Sequence, residues 1–117
     1  MLTRRKPLAG ATAQGGFGIM AHSEAMQRRL IERRLAEARG GDVEACYELG
    51  VDHSVGRHGA AVDLVEAHKW FNLAAMSGDR RALADRAEVA SEMSAREIAE
   101  AQRRARAWLA GTLPLAA

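Results

Sequence analysis

The sequence is poor in the residues that build disulfide, metal or strand-based proteins. Among its 117 residues there is one cysteine, Cys46, so no disulfide can form within the chain and a disulfide-built secreted scaffold is excluded. Proline occurs only at Pro7 and Pro114, so no proline ring bars any position between Leu8 and Leu113 from a helix. Aromatic residues make up 4% of the chain, so large apolar side chains must be concentrated at a few positions. No apolar run approaches the ~18 residues that a membrane-crossing helix requires. No segment alternates polar and apolar residues with period two, and β-branched residues are sparse, which argues against strands. Hydrophobic residues nevertheless reach 48%, many of them alanine, enough for a core made of closely approaching helices. The length suits one domain.

A pI near 9.2 invites a nucleic-acid reading, but the excess positive charge sits at the front. Arg4, Arg5 and Lys6 are the only charged residues among the first 21, and the remainder carries a net charge of −1. Signs alternate along that body, as in Glu32-Arg33-Arg34 and Arg96-Glu97. Phosphate binding needs a continuous positive face, and none is written there. Residues Pro7 to Gly18 lack the leucine-rich stretch of a secretory signal, so the expected location is cytoplasmic, with no nucleic-acid or membrane partner. Residues 1–21 read as a basic, Gly-rich tail and 112–117 as a second tail, flanking a helical domain over 22–111. Gly15-Gly16 shortly before Met20 also resembles a translated ribosome-binding site. Two readings of the first 19 residues therefore stay open: an ordinary tail, or a stretch ahead of a start at Met20.

From residue 22 the pattern is helical, and the fold class is all-α with about five helices. Ser23 is the expected N-cap of the first, which runs through Met26, Leu30, Leu35 and Ala38 to Gly40-Gly41. Asp42 caps a second with Ala45, Cys46, Leu49 and Gly50 on one side, and a loop follows from about Ser54 to Val62. Asp63 caps a third with Leu64, Ala67, Phe71 and Ala74, ending at Gly78. Asp79 opens a fourth through Ala82, Leu83, Ala87 and Ala90. Ser94-Ala95-Arg96-Glu97 fits a capping box for the fifth, whose stripe is Ile98, Ala101, Ala105, Trp108 and Leu109, ended by Gly111 and Pro114.

Two landmarks recur at nearly one period. Gly41-Asp42-Val43-Glu44-Ala45 returns as Gly78-Asp79-Arg80-Arg81-Ala82, and Ala67-x-x-Trp70-Phe71 returns as Ala105-x-x-Trp108-Leu109. A spacing of 37 to 38 residues lies in the range of helix-pair repeats. The densest stretch reads Ala45, Leu49-Gly50, Gly56 and Gly59, Asp63, then Ala67-His68-Lys69-Trp70-Phe71-Asn72-Leu73-Ala74-Ala75-Met76-Ser77-Gly78. This resembles the Sel-one-like repeat, a relative of the tetratricopeptide repeat. Its pattern is an alanine, Leu-Gly, a Gly-rich turn, Asp, and Ala-x-x-Trp-aromatic-x-x-Ala-Ala-x-x-Gly. His53 departs from it where tyrosine is usual, and the Ser54–Ala61 loop is a residue longer than usual. The resemblance implies a short right-handed superhelix of antiparallel helix pairs serving as an adaptor, often in bacterial signalling or envelope regulation.

The chemistry-bearing residues form no set. His53, His58, His68 and Cys46 follow no zinc spacing, Cys46 lies on the apolar side of its helix, and no Gly-rich phosphate loop follows a strand. No cofactor, metal or catalytic residue is expected. The resemblance includes cysteine-rich members linked to hydrolysis, but those use disulfide pairs that one cysteine cannot supply. The leading expectation is a non-enzymatic protein-interaction module; the alternatives are a regulator or inhibitor subunit acting on an enzyme, or an enzyme. Helix-pair stacks dock partners on the face of their A helices, here 42–53 and 79–92. The candidate partner-binding residues are Glu44, Tyr47, Glu48, Val51, Arg81, Asp85, Arg86 and Glu88. Tyr47 and Arg86 lead because these types are enriched at binding hot spots, with inter-helix packing the competing role for Tyr47. About two and a half repeats fall short of the roughly three that a solenoid needs. The arginine-rich polar side of the last helix (Arg96, Arg103, Arg104, Arg106) suits a cap, so a monomer or weak homodimer is expected.

Overall fold

The computed structural model describes residues 16–112, with side chains described from Ser23 onward. Those residues form five helices and no strand: α1 (Gly16–Arg39), α2 (Val43–Val55), α3 (Leu64–Met76), α4 (Arg80–Ala90) and α5 (Ala95–Thr112). Residues 1–15 and 113–117, including most of the expected tails and Pro114, lie outside the described part.

The caps follow from residue chemistry. Gly41 and Gly78 take φ values of 95° and 100°, in the left-handed region that favours glycine. Each closes the preceding helix with a pair of backbone bonds. Gly41 N–H donates to Ala38 O and Asp42 N–H to Glu37 O, while Gly78 donates to Ala75 O and Asp79 to Ala74 O. The aspartate that completes each stop also starts the next helix. Asp42 accepts from Ala45 N at 3.0 Å, and Asp79 accepts from Arg81 N and Ala82 N at 2.9 and 3.3 Å. Asp63 accepts from Glu66 N at 3.1 Å, and the Ser94–Glu97 capping box makes both reciprocal bonds at 2.8 and 3.1 Å.

The structure differs from the sequence reading at two helix boundaries and on one helix face. The first helix begins at Gly16, so Ser23 lies inside it and caps nothing, and part of the expected 1–21 tail is helical. With no proline from Leu8 to Leu113, nothing local stops that helix at Ser23. Thr112 belongs to α5, where its hydroxyl donates to Trp108 O at 2.9 Å. On α4 the buried positions are Ala82 and Val89, one face seven residues apart, whereas Leu83 is 49% exposed and Ala87 is exposed. Leu83 sits about 100° around the helix from Ala82, off the face that α3 covers.

The core gathers on α3. Ala67, Trp70, Phe71, Leu73 and Ala74 are buried there and meet Ala38 of α1, Ala45, Cys46 and Leu49 of α2, Ala82 and Val89 of α4, and Ala105 of α5. Helix α3 packs on α2, α4 and α5, while α1 packs on α2. A β-carbon at Gly50 would stand 2.5 Å from Phe71 Cδ1, so a glycine there lets the ring pack close against α2. Several contacts join residues one sequence period apart. Trp70 and Trp108 meet edge to face with ring centres 4.8 Å apart. Arg104 pairs with Glu66 at 2.7 Å, Arg81 with Glu44 at 2.7 Å, and Tyr47 donates to Asp85 at 2.6 Å. Each of these hydrogen-bonded pairs is separated by 37 or 38 residues.

Candidate interaction surface

Side chains of α2 and α4, with Leu64 and Phe71 of α3, border an open groove of about 390 Å³. Val51, Val55, Leu64, Phe71 and Val89 supply apolar surface to it, Ser54 a hydroxyl, and Asp85, Glu88 and Glu92 carboxylates. Val51 packs partly against the core, whereas Val55 is 64% exposed. Four of the eight sequence-predicted residues, Tyr47, Val51, Asp85 and Glu88, line this groove.

Most of the eight are also held by partners inside the chain. Tyr47 stands at one end of the groove, its ring tilted against Phe71 with centres 5.6 Å apart and the Arg81 guanidinium carbon 3.9 Å from its centre. Its hydrogen bond to Asp85, with burial second, pushes its phenol up to about 12, so it remains a neutral donor. Inter-helix packing, the competing role for Tyr47, is thus realised. Arg81 also binds Asp79 and Glu44, and those hydrogen bonds hold the Asp79 and Glu44 carboxyls below the usual range. Arg86 turns away from the groove and donates to Asn72 Oδ1 at 2.6 Å. Glu48 leaves it too, pairing with Arg57 at 2.5 Å and approaching Arg34.

Glu48 belongs to a cluster that the sequence reading did not foresee. Asp52, whose side chain has no exposure at all, accepts from Arg34 Nη1 at 2.5 Å and Arg57 Nε at 2.9 Å. His58 Nδ1 lies 2.9 Å from the same carboxylate. An ionised carboxylate only accepts, so the Nδ1 that meets Asp52 carries the proton and donates it. A protonated Nδ1 cannot accept from Arg34, whose 3.3 Å approach is therefore no hydrogen bond. Burial alone would raise the Asp52 carboxyl, but the bonds from His58, Arg34 and Arg57 outweigh it and leave it lowered. His58 adopts φ 58°, a left-handed conformation held by this contact. The cluster ties α1, α2 and the 56–63 loop together. One signal was present: Asp52 continues the Ala45–Leu49 face at helical spacing, where a solvated acid does not belong.

The soft ligands lie apart in function. Cys46 is buried, and that burial pushes its thiol up to about 11, so it is protonated at neutral pH. His68 is buried on α3, and burial followed by the nearby Arg86 charge lowers its pKa, keeping it neutral. His53 Nδ1 lies 3.3 Å from Ala61 O, at the end of the loop. Among the described residues no three histidine, cysteine or acidic side chains are grouped to hold a metal, and no helix is long and apolar enough to cross a membrane. Comparisons with protein-family models, curated proteins and solved structures found no match.

Proposed function

We propose that this chain is a non-enzymatic protein-interaction module of the Sel-one-like type, a short right-handed superhelix of antiparallel helix pairs acting as an adaptor. A partner peptide or domain docks on the face formed by α2 and α4. The observation that carries this reading is the open groove between those helices, with valines on its walls and carboxylates at its rim. The contacts between residues 37 or 38 apart support the repeat reading, because stacked repeat units bring equivalent positions together. The docking determinants are the groove residues Val51, Val55 and Glu88, whereas Tyr47, Asp85 and Arg81 brace the groove from within.

The test is capture of partners from cells with wild-type chain and with a Val55→Asp, Glu88→Arg double variant. Both positions are exposed, so the fold is retained, checked by thermal melting. Loss of the captured partners with an unchanged melt is the expected result. An identical set of partners with the variant would sink the assignment of this face.

A further inference from the structure

Resting on the docking reading above, we infer that the α2–α4 groove takes a segment of a partner protein with an arginine or lysine beside a bulky apolar side chain. The charged side chains of the lining all have one sign. Its ionisable carboxyl residues are Asp85, Glu88 and Glu92, and no lysine or arginine lines it. The backbone adds to that sign. Ser54 and Val55 close α2, while Val89 stands in the last turn of α4 and Glu92 just beyond it, so both helices bring their C-terminal ends to the same groove. A helix C-terminus carries a partial negative charge of roughly half an electron, which attracts cations. Two such ends beside three acidic side chains favour a cation in this groove.

The position of the acids sorts them by task. One Asp85 oxygen is occupied by the Tyr47 hydroxyl at 2.6 Å, so this carboxylate mainly braces the wall. Glu88 and Glu92 are exposed and stand at the rim. Arg81, the basic group nearest Tyr47, is already shared between Asp79 and Glu44. A cation entering at the Val55 and Glu92 end therefore meets carboxylates, and its aliphatic stem or an apolar neighbour covers Val55 and Val51. A lysine or arginine suits this geometry because its stem is apolar and its head is charged. An acidic segment would face the same carboxylates and both helix ends, and is repelled.

Three short blocked peptides test this with the full chain: alternating leucine and arginine, leucine and serine, and leucine and glutamate. Amide shifts of Val51, Val55, Glu88 and Val89 followed by NMR report where each binds, and titration gives the affinity. The leucine–arginine peptide is expected to shift the groove amides and to weaken with added salt. A Glu88→Gln, Glu92→Gln variant is expected to lower its affinity by roughly fivefold, the scale of two exposed charge pairs. A Glu24→Gln, Glu32→Gln variant on α1 should leave it unchanged. Equal or tighter groove binding by the serine or glutamate peptide would overturn the cationic assignment while leaving the docking face standing. Groove amides that ignore all three peptides would also overturn it, and the capture experiment then decides the docking reading separately. Shifts that grow with the chain's own concentration would place a second copy in the groove, which equally rejects this assignment.

Discussion

Helices α3 and α4 follow the same Gly-Asp or loop-Asp starting chemistry, yet they end up in opposite situations. Helix α3 buries seven residues, Ala67 to Phe71 with Leu73 and Ala74, and touches α2, α4 and α5. Helix α4 buries only Ala82 and Val89. The difference is one of position. A helix with neighbours on three sides must be apolar or internally paired nearly all round, and even Lys69 is covered there. Its ammonium lies 4.2 Å from the Trp70 ring centre and 3.0 Å from Glu66. Helix α4 has one packed side, and most of its remaining residues, Leu83 and Ala87 among them, are exposed. The core is thus the part with little freedom to change, and the outer helix is the part on which binding can be written.

Substitutions along that contrast should fall in a clear order. Trp70 is 1% exposed, and Trp70→Ala is expected to cost about 3–5 kcal/mol, whereas the half-buried Trp108 should cost about half as much; denaturant melts of both compare them directly. A similar loss for both would break the picture of α3 as the centre.

Asp52→Ala should come next, at about 3 kcal/mol, because it strands Arg34 in a largely buried position. Asp52 also sets an acid limb. Its carboxyl is lowered in the folded chain, so its contribution is complete above the ordinary value of 3.8 and is lost as pH falls through the lower folded value. Melting temperature followed from about pH 6 to about pH 2 should drop less steeply in Asp52→Asn than in wild type. Parallel curves would show that the carboxylate is not the acid-sensitive part.

Gly50→Ala is expected to cost about 1–3 kcal/mol, since the added methyl meets the Phe71 ring. Restored stability in a Gly50→Ala, Phe71→Leu double variant would identify that clash as the cause. Tyr47→Phe removes only the hydroxyl bond to Asp85 and should cost about 1 kcal/mol or less, measurable by the same melts. The smallest effect belongs to Leu83→Gln on the exposed side of α4, which should leave the melt unchanged within error. A loss there comparable to Gly50→Ala would show that α4 has a second packed face.

Apart from the first helix, whose expected cap Ser23 lies inside it, helix starts were the most legible part of the sequence. Asp42, Asp63, Asp79 and Ser94 were readable as caps because capping is local, a side-chain oxygen reaching two or three residues along. The apolar side of α3 was readable from spacing. Leu83 was misplaced because the only large apolar residues of α4 are Leu83 and Val89 and its alanines are spread around the helix, which leaves the phase undecided by about one residue. The Asp52 cluster was hidden for a different reason. Its partners lie 18 residues before it and five and six residues after it, so no local pattern links them. Of the eight candidate binding residues, Tyr47, Val51, Asp85 and Glu88 line the groove and the others do not. Glu48 and Arg86 are drawn aside by Arg57 and Asn72, contacts that exist only after folding.

What the sequence alone determined is what depends on near neighbours: an all-helical chain, the positions of its caps, one cysteine without a bonding partner, and a spacing of 37 to 38 residues. Tertiary structure decided which residues at that spacing touch, which acids face solvent and which arginines are occupied. It also decided that two helix C-termini border one acidic groove. Capping bonds span a single turn and are carried by adjacent residues. A groove is made by the surfaces of separate helices, and its shape and charge exist only once those helices are side by side.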